Sequence, residues 1–338
     1  MRIITCASYY GTGSSAITDL LSEYDGFKSL GDYEFRFVQD PGGISDLEYN
    51  IVENNHRHNS GHALKRYKNN VDFLAGNKFV KKYEKFFNNH WKEYSYEYID
   101  ELTDFKYKGY WHQDVIDRGK FFYIYKRIVN KILKRTIWKN NKEKSLNELP
   151  NEITLYSSVS ETEFLRATKE YIDRLFKEVN LDNKENIMVD QIVPPSNLKR
   201  YLRYFNDIRV FVVDRDPRDI YLLEKYIWKG KVIPTESVEL FCKWFLNTRK
   251  HRDIENMENE NIMFVQFEDL IYKYDNTIEN IEMWLGIDKS SHINKKNKLD
   301  PNKSKKNTKL WEYISGCEDD VRYIEKELSK YIYSYNEV

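Results

Sequence analysis

Cysteine is scarce in this 338-residue sequence, and neither sign of charge dominates. The three cysteines lie too far apart to form a C-x-x-C metal site or a disulfide framework. No apolar run approaches the roughly 20 residues of a membrane span, and the apolar residues 3–7 are too few for the core of a signal peptide. We therefore expect a protein of the reducing cytoplasm, without disulfides and without a membrane-spanning helix.

Net charge is absent as well, because 54 Lys and Arg residues balance 54 Asp and Glu residues. A preference for anions must therefore come from local clusters of side chains, and we expect no nucleic-acid partner. Hydrophobic residues make up 41% of the sequence and charged residues 32%, a composition that supports a packed core. Aromatic residues reach 15%, which reflects either biased codon usage or flat surfaces for a sugar or another planar ligand.

Short apolar runs alternate with helical patterns along much of the chain. Residues 3–7 predict a strand, and the spacing of apolar residues after Ser14 predicts a helix that ends before Gly26. Buried parallel strands are predicted by three later apolar runs, at residues 186–189, 208–213 and 261–267. The sequence therefore predicts an α/β fold around a doubly wound parallel sheet.

Residues 50–150 differ from the rest of the chain. They are rich in Tyr, Phe, Trp, Asn and Lys, and they contain no clear strand pattern. We therefore predict a mostly helical insertion, residues 50–150, within a single α/β domain of residues 1–338. Beyond the insertion, Ser160 and Glu163 have the spacing of a capping box and predict the start of a helix.

A basic segment, residues 120–144, lies inside this insertion. It contains nine Lys and Arg residues but a single acidic one, Glu143, and apolar residues interleave with the basic ones at helical spacing. The basic residues are Lys120, Lys126, Arg127, Lys131, Lys134, Arg135, Lys139, Lys142 and Lys144. An amphipathic helix of this kind is either a solvated face or a contact for an anionic acceptor or a membrane surface.

The loop after the first strand contains Gly11-Thr12-Gly13-Ser14-Ser15. Glycines permit backbone conformations that turn several N–H groups toward one point, and the following helix adds its N-terminal dipole and hydroxyl donors. This pattern is typical of a phosphate or sulfate site, although such a turn is often only a turn. A Walker A loop would require a lysine that is absent here, which disfavours ordinary ATP or GTP hydrolysis.

Two arginines flank a proline just after the strand over residues 208–213, in Arg215-Asp216-Pro217-Arg218-Asp219. Ligands of open α/β sheets bind at the carboxyl ends of the strands, and a guanidinium group is a bidentate partner for phosphate. The two arginines therefore either bind a phosphate group or pair with the neighbouring aspartates in a structural network.

Together these segments resemble the sulfotransferases that use 3′-phosphoadenosine-5′-phosphosulfate (PAPS), among them the bacterial and carbohydrate sulfotransferases. The family's first loop, a basic residue followed by Ser-Gly and two hydroxyl residues, is similar to residues 11–15, and its motif Arg-Asn/Asp-Pro-Arg-Asp is similar to residues 215–219. Residues 267–270 (Phe-Glu-Asp-Leu) resemble a third motif, and residues 302–308 resemble the C-terminal nucleotide loop. The resemblance covers about residues 1–40 and 186–311 and omits the insertion.

The resemblance implies a three-layer fold like that of the P-loop NTPases, with PAPS as cosubstrate, adenosine 3′,5′-bisphosphate (PAP) as product and no metal. The first loop, from Gly11 through Thr12, Gly13 and Ser14 to Ser15, would hold the 5′-phosphosulfate. Arg215 would bind the 3′-phosphate. The lysines that would close over the nucleotide are Lys303, Lys305 or Lys306.

Three positions depart from the family pattern. Gly11 replaces the basic residue that opens the first loop, Ala16 replaces an aromatic residue, and Leu223 replaces a serine. The first departure removes a charge that would stabilise the transferring sulfuryl group, so a nucleotide-binding or scaffold protein without catalysis stays open as a second interpretation. A P-loop kinase or other phosphoryl transferase is a third, but it would need a loop lysine and Mg²⁺ ligands that the sequence does not display.

Sulfuryl transfer to a hydroxyl group needs a proton acceptor. Residues 34–38 resemble a segment of the heparan-type carbohydrate sulfotransferases in which a glutamate is the base, and this implies that role for Glu34. Arg36 would then hold the substrate or neutralise Glu34. The alternative is a surface carboxylate paired with Arg36.

Histidines offer another base. His112 lies beside Trp111 and is the reserve candidate. His56, His58 and His62 cluster in an Asn-rich segment, but their spacing suits metal ligands only loosely, and we expect no metal.

The sequence therefore predicts a cytoplasmic sulfotransferase that moves a sulfuryl group from PAPS to a hydroxyl acceptor. A saccharide is the expected acceptor because of the resemblance at Glu34 and the abundance of aromatic residues. The aromatic and basic insertion would bind it.

Overall fold

The computed structural model describes residues 1–77, 79, 82–141, 143–252 and 259–335. Two compact units divide the chain. The first unit consists of Met1–Gln39 and Val179–Val338, and the second of Asp40–Glu178. The basic residue Lys142 lies outside the described residues.

The strands are β1 (Arg2–Ser8), β2 (Phe27–Glu34), β3 (Phe105–Lys108), β4 (Ile153–Tyr156), β5 (Asn186–Asp190), β6 (Ile208–Asp214) and β7 (Ile262–Gln266). The α-helices are α1 (Ser14–Leu21), α2 (Ile44–Glu48), α3 (Asn59–Ala75), α4 (Trp91–Glu101), α5 (His112–Asp117), α6 (Lys120–Arg135), α7 (Glu161–Val179), α8 (Leu198–Leu202), α9 (Pro217–Leu222), α10 (Val238–Arg249), α11 (Asp269–Tyr272), α12 (Tyr274–Leu285), α13 (Pro301–Ser304) and α14 (Glu318–Glu327). Short π-helical turns cover Tyr49–Glu53 and Leu223–Trp228, and 3₁₀ turns cover Tyr83–Lys85, Lys289–Ser291, Lys305–Asn307, Leu310–Glu312 and Ser329–Tyr331.

A parallel sheet forms the centre of the first unit, with the strand order β2-β5-β1-β6-β7 across the described residues. The prediction of an α/β fold with a parallel sheet is confirmed, as are the predicted strands at β1, β5, β6 and β7 and the helix at α1. Strand β2 was not predicted, because it lies at the sheet edge with mostly half-buried or exposed residues and so lacks an apolar run.

Alternate side chains of the central strands pack on one face of the sheet against α1 and α12. Ile4 and Cys6 of β1 meet Leu20 of α1 in this core, and Ile281 of α12 joins them. All four side chains are completely buried. This burial holds α1 against the sheet. Because α1 follows β1 after a short loop, its first turn lies at the carboxyl end of β1.

The second unit is mostly helical, and it also holds a two-stranded antiparallel ribbon of β3 and β4. The sequence analysis did not predict this ribbon, because each strand has only four residues and all four of β3 are exposed. The predicted capping box is confirmed. The backbone N–H of Ser160 donates to Glu163 Oε2 at 2.9 Å, and the N–H of Glu163 donates to Ser160 Oγ at 3.3 Å.

A buried cluster of charges supports the carboxyl end of β6. Asp214 accepts two hydrogen bonds from Arg249, at 2.6 and 3.2 Å, and a third from Arg252 at 2.7 Å. The Arg249 side chain is completely buried, and its guanidinium group packs against the rings of Tyr9 and Phe245. Such a pair is stable only because each charge has its partner, since an uncompensated buried charge is costly.

No helix in these described ranges combines the length and the apolarity that crossing a bilayer requires.

We predict that Arg249→Met lowers the free energy of unfolding by about 3 kcal/mol, the magnitude for a buried ion pair broken from one side. Urea denaturation measures this loss. The matched control is Arg322→Met, which removes an exposed ion pair with Asp319 on α14 and should change stability little. A loss as small as that of the control would mean that Arg252 alone neutralises Asp214.

Candidate functional site

The carboxyl ends of the five parallel strands converge on one cavity of about 360 Å³ in the first unit. Each strand supplies a residue at or just beyond its last position: Ser8, Glu34, Gln191, Arg215 and Phe267. The other lining residues are Tyr10, Gly11, Gly13, Ser14, Ser15, Arg36, Leu223, Ile227, Trp228 and Asn307. Ligands of open parallel sheets bind at this edge, so the cavity is the candidate functional site.

The loop between β1 and α1 has an unusual backbone. Tyr10, Gly11 and Gly13 all have positive φ, at 64°, 70° and 90°. A Cβ atom on Gly13 would lie 2.6 Å from the ring of Phe267, so only glycine fits there. Gly13 is also the N-cap of α1 and provides no side-chain cap. The first N–H groups of α1 have no acceptor within the helix, which makes this helix start suited to an anion.

Hydroxyl groups surround this helix start. Thr12 is completely buried, and its Oγ1 has no hydrogen-bond partner within the described chain. Ser14 Oγ donates to Asp190 Oδ2 at 3.2 Å, and Ser15 lines the cavity. A buried hydroxyl without a partner is costly, but Thr12 does not line the cavity, whereas Ser14 and Ser15 do.

Arg215 lines the same cavity, directly after β6. It is 4% exposed, and its guanidinium group donates to the backbone oxygens of Gly11, at 3.4 Å, and Asn307. The group also lies 4.4 Å from the centre of the Phe267 ring. Arg215 Nε has no partner, and the residue forms no ion pair with any residue whose position is described. Burial lowers the pKa of Arg215 from its ordinary value.

The other charged groups of the arginine motif have partners within the fold. Arg218 pairs with Asp216 at 2.7 Å and Glu325 at 2.6 Å, and it stacks on the Trp311 ring at 3.8 Å. Asp219 accepts the backbone N–H groups of Lys309 and Leu310, at 3.1 and 2.9 Å. The structural network that the sequence left open therefore holds for Arg218 but not for Arg215.

Two buried carboxyl groups accompany these cations. Burial, together with the charge of Asp216, raises the pKa of Glu268 to about 8, and Glu268 Oε1 accepts the N–H of Asp216 at 3.0 Å. Burial, together with the charge of Glu34, raises the pKa of Asp190 to about 7. Asp190 is 3% exposed, and its Oδ1 has no partner within the described chain. The carboxyl beside Ser14 therefore titrates near neutral pH.

Glu34 and Arg36 both line the cavity. Arg36 Nη1 lies 3.6 Å from Glu34 Oε2, and the Arg36 guanidinium is 6.0 Å from the centre of the Tyr10 ring. The Glu34 side chain is 50% exposed. The ion pair that the sequence left as an alternative is present, and it lies at the candidate site.

The three lysines of the C-terminal loop do not line the cavity. Lys303 forms a 3.6 Å ion pair with Asp300, Lys305 lies 5.7 Å from the Tyr272 ring centre, and Lys306 is exposed. The 3₁₀ turn Lys305–Asn307 presents Asn307 to the cavity instead. The loop therefore reaches the site through an amide and a backbone oxygen.

The four histidines that the sequence analysis considered, His56, His58, His62 and His112, belong to the second unit, and none of them lines the cavity of the first. His112 begins α5, and its ring lies 5.5 Å from that of Tyr123. The rings of His56 and His58 are 6.2 Å apart. The described ranges contain no group of three or more His, Cys, Asp or Glu side chains able to hold a metal ion.

Several residues at the site were missed by sequence reasoning. Asp190, which holds Ser14 but does not itself line the cavity, ends β5 one residue beyond the predicted strand, a position that signals a site residue in parallel sheets. Trp228 carried no such signal, because it reaches the cavity through the π-helical turn after α9. A Cβ atom on Gly11 would lie 3.2 Å from Trp228 and 3.1 Å from Ile233, so the loop packs closely under this turn.

We predict that Gly13→Ala abolishes binding of pyrophosphate and lowers the Tm, because its Cβ would strike the Phe267 ring and the backbone has positive φ. Calorimetric titration and thermal unfolding measure the two effects. Gly26→Ala is the matched control, since Gly26 has φ of +91° but nothing within 4 Å of its Cβ position. The control should lower the Tm and leave binding intact, and wild-type affinity in Gly13→Ala would contradict the role of this loop.

We predict that Asp190→Asn strengthens pyrophosphate binding several-fold at pH 8 and changes it little at pH 5.5, because only the ionised carboxylate repels the anion. Ionisation of Asp190 also lowers the stability of the fold. The folded pKa of about 7 exceeds the ordinary 3.8, so ionising Asp190 destabilises the fold as pH rises between these values. Calorimetric titration with pyrophosphate tests the change in affinity, and the Tm tests the change in stability, each at both pH values. The control is Asp207→Asn. Asp207 lies just before β6, at the amino end of that strand, and this variant should show no pH-dependent gain in pyrophosphate affinity.

No protein-family model matches the chain, and no curated protein matches it significantly. Solved structures similar to it include sulfotransferase STF9 from Mycobacterium avium, with 12% identity over 98% of this chain and 77% of that chain and a TM-score of 0.39. The sulfotransferase domain of the Synechococcus PCC 7002 olefin synthase has 10% identity over 96% and 93%, with a TM-score of 0.41. Sulfotransferase STF1 from Mycobacterium tuberculosis H37Rv has 12% identity over 86% and 69%, with a TM-score of 0.34.

Proposed function

We propose that this protein is a sulfotransferase that moves a sulfuryl group from PAPS to a hydroxyl acceptor. The observation that carries the proposal is the single cavity shared by the start of α1 and the unpaired Arg215. Both are donor groups for anions, and a nucleotide with phosphate groups at both ends needs two such sites at once. We also propose that the fold has the three-layer arrangement of the P-loop NTPases, which the sequence motifs imply.

The donor nucleotide fits the groups that line the cavity. The N–H groups at the start of α1 and the hydroxyls of Ser14 and Ser15 would hold the 5′-phosphosulfate. Arg215, with its unpartnered Nε, would hold the 3′-phosphate. The half-exposed indole of Trp228 offers a flat face for the adenine base.

Transfer itself exchanges one S–O bond for another. The acceptor oxygen attacks sulfur in line, the bond from sulfur to the bridging phosphate oxygen breaks, and PAP leaves with the electron pair of that bond. The acceptor's proton passes to the Glu34 carboxylate, which is half-exposed and lines the cavity. Arg36 would neutralise charge on the sulfuryl oxygens, a role that the family gives to the residue replaced by Gly11.

A saccharide is the acceptor that we propose, bound by the second unit. That unit contains a cavity of about 790 Å³ with two tyrosines, Tyr96 and Tyr107, among lining residues that are mostly polar or charged. Tyrosine rings and hydrogen-bonding groups suit a polyhydroxylated ligand. His112 as a reserve base and a cytoplasmic location stay predictions of the sequence analysis.

A second candidate function is nucleotide binding without transfer. It is favoured by Gly11 and Leu223, which line the cavity where the family has a basic residue and a serine. A kinase-like phosphoryl transferase is less well supported, because no lysine is among the described residues that line the cavity.

Ligand-induced thermal shifts test the proposal first. PAP should raise the Tm, and ATP with Mg²⁺ should not, because binding to the folded state alone stabilises it. Transfer of labelled sulfate from PAPS to a panel of saccharides then separates the enzyme from the binder. Stabilisation by ATP with Mg²⁺ alone would contradict the proposal, and PAP binding without transfer to any acceptor would favour the second candidate.

We predict that Arg215→Met weakens PAP binding by about 1–3 kcal/mol, the contribution of a charge-assisted hydrogen bond. Its Tm should stay unchanged or rise, because the variant removes a buried cation that forms no ion pair within the described part of the chain. Arg218→Met is the control. It should leave PAP affinity unchanged and lower the Tm, since Arg218 is paired with Asp216 and Glu325. Calorimetry and thermal unfolding give both quantities, and unchanged PAP affinity in Arg215→Met would count against the assignment.

We predict that Glu34→Gln abolishes turnover and leaves PAP binding intact, because it removes the proton acceptor but keeps the shape of the side chain. Sulfate transfer and calorimetric titration are the measurements. Asp32→Asn on the same strand is the control and should retain activity, since Asp32 is exposed and does not line the cavity. A fully active Glu34→Gln variant would remove Glu34 from the mechanism.

A further inference from the structure

Helix α6 buries none of its 16 residues, whereas the 17-residue α3 of the same unit buries seven. The exposed apolar side chains of α6 lie on one side of the helix. They form what we call the apolar stripe: Phe121, Ile124, Tyr125, Ile128 and Ile132. Their exposure runs from 52% to 92%. The spacing i, i+3, i+4, i+7 and i+11 places them in one continuous row along the helix.

The opposite side of α6 attaches the helix to its own unit. Asn130 Oδ1 accepts the backbone N–H of Leu146 at 2.7 Å, and Asn130 Nδ2 donates to Glu148 at 3.4 Å. Tyr123 lies edge-on to His112. At 100° per residue, positions 123 and 130 are about half a turn from the middle of the apolar stripe. The stripe is therefore left uncovered because the helix is anchored from the other side.

Positive charge borders the apolar stripe. Helix α6 contains six Lys and Arg residues and no acidic residue. Four of the six form a basic flank along one edge of the stripe, with the spacing i, i+7, i+11 and i+14: Lys120, Arg127, Lys131 and Lys134. All four are exposed. A partner that covers both features must be apolar inside and anionic at its surface.

We propose that α6 docks on an anionic lipid membrane, lying in the plane of the headgroups. The apolar stripe, about 16 Å long at 1.5 Å per residue, would enter the boundary of the acyl chains, and the basic flank would contact lipid phosphates. A soluble polyanion would neutralise the flank but leave the stripe in water. The inference does not depend on the sulfotransferase proposal, because it concerns a surface of the second unit alone.

Vesicle co-sedimentation of the full chain tests the proposal. The protein should bind mixed phosphatidylcholine–phosphatidylglycerol vesicles at low salt, bind pure phosphatidylcholine vesicles at least tenfold less, and lose affinity as salt rises. Ile128→Asn and Lys131→Glu should each reduce binding at least fivefold. Met283→Asn on α12 and Lys326→Glu on α14 are matched controls at exposed positions of the first unit and should bind as the wild type does.

Insertion of the stripe is measured separately with Phe121→Trp. The added tryptophan emission should shift to the blue on anionic vesicles and be quenched by brominated acyl chains. No vesicle binding by the wild type would overturn the proposal, as would binding that Ile128→Asn leaves unchanged, which would indicate a site for polyanions. A wild-type dimer that Ile128→Asn converts to a monomer in sedimentation velocity would also overturn it, because the stripe would then be a subunit interface.

Discussion

Arg215 brings a positive charge into a buried position at the end of the sheet, where it forms no ion pair among the described residues, although the charges of Asp219 and Glu268 favour the cation. Burying an unpaired charge is costly, and two backbone oxygens and the face of Phe267 compensate only in part. The neighbouring cation Arg218, by contrast, is fully paired. An anion in the cavity would offset this cost, which is the physical basis of our proposal that Arg215 and the start of α1 hold one ligand.

Much of the first unit could be predicted from the sequence, because strands that are buried in the fold consist of runs of apolar residues. Strands β1, β5, β6 and β7 are buried and were found in this way. Strand β2, at the edge of the sheet, and the ribbon of β3 and β4 are polar or exposed, so no apolar pattern marks them. The loop of α1 was found by its glycines, whose positive φ angles are a requirement that the sequence displays directly.

The pairing of Arg218 with the neighbouring Asp216 was one of the alternatives that the sequence offered, but contacts between residues far apart along the chain could not be predicted. Asp190 and Ser14 are 176 residues apart, and Arg218 and Glu325 are 107 apart. The two arginines, three positions apart, look alike in sequence. In the fold, Arg218 pairs with Asp216 and with Glu325 of α14, whereas Arg215 lines the cavity. The lysines of residues 302–308 are a similar case, because the turn there presents Asn307 rather than a cation.

The contact between Gly13 and the Phe267 ring joins the first loop to the end of β7. Neither position is able to change alone, because a side chain at 13 collides with the ring and a smaller group at 267 leaves a gap beneath both the loop and the Arg215 guanidinium. Substitutions at the two sites should thus be coupled during divergence, and homologues that lose the glycine should be recognisable by a reduced side chain more than 250 residues downstream.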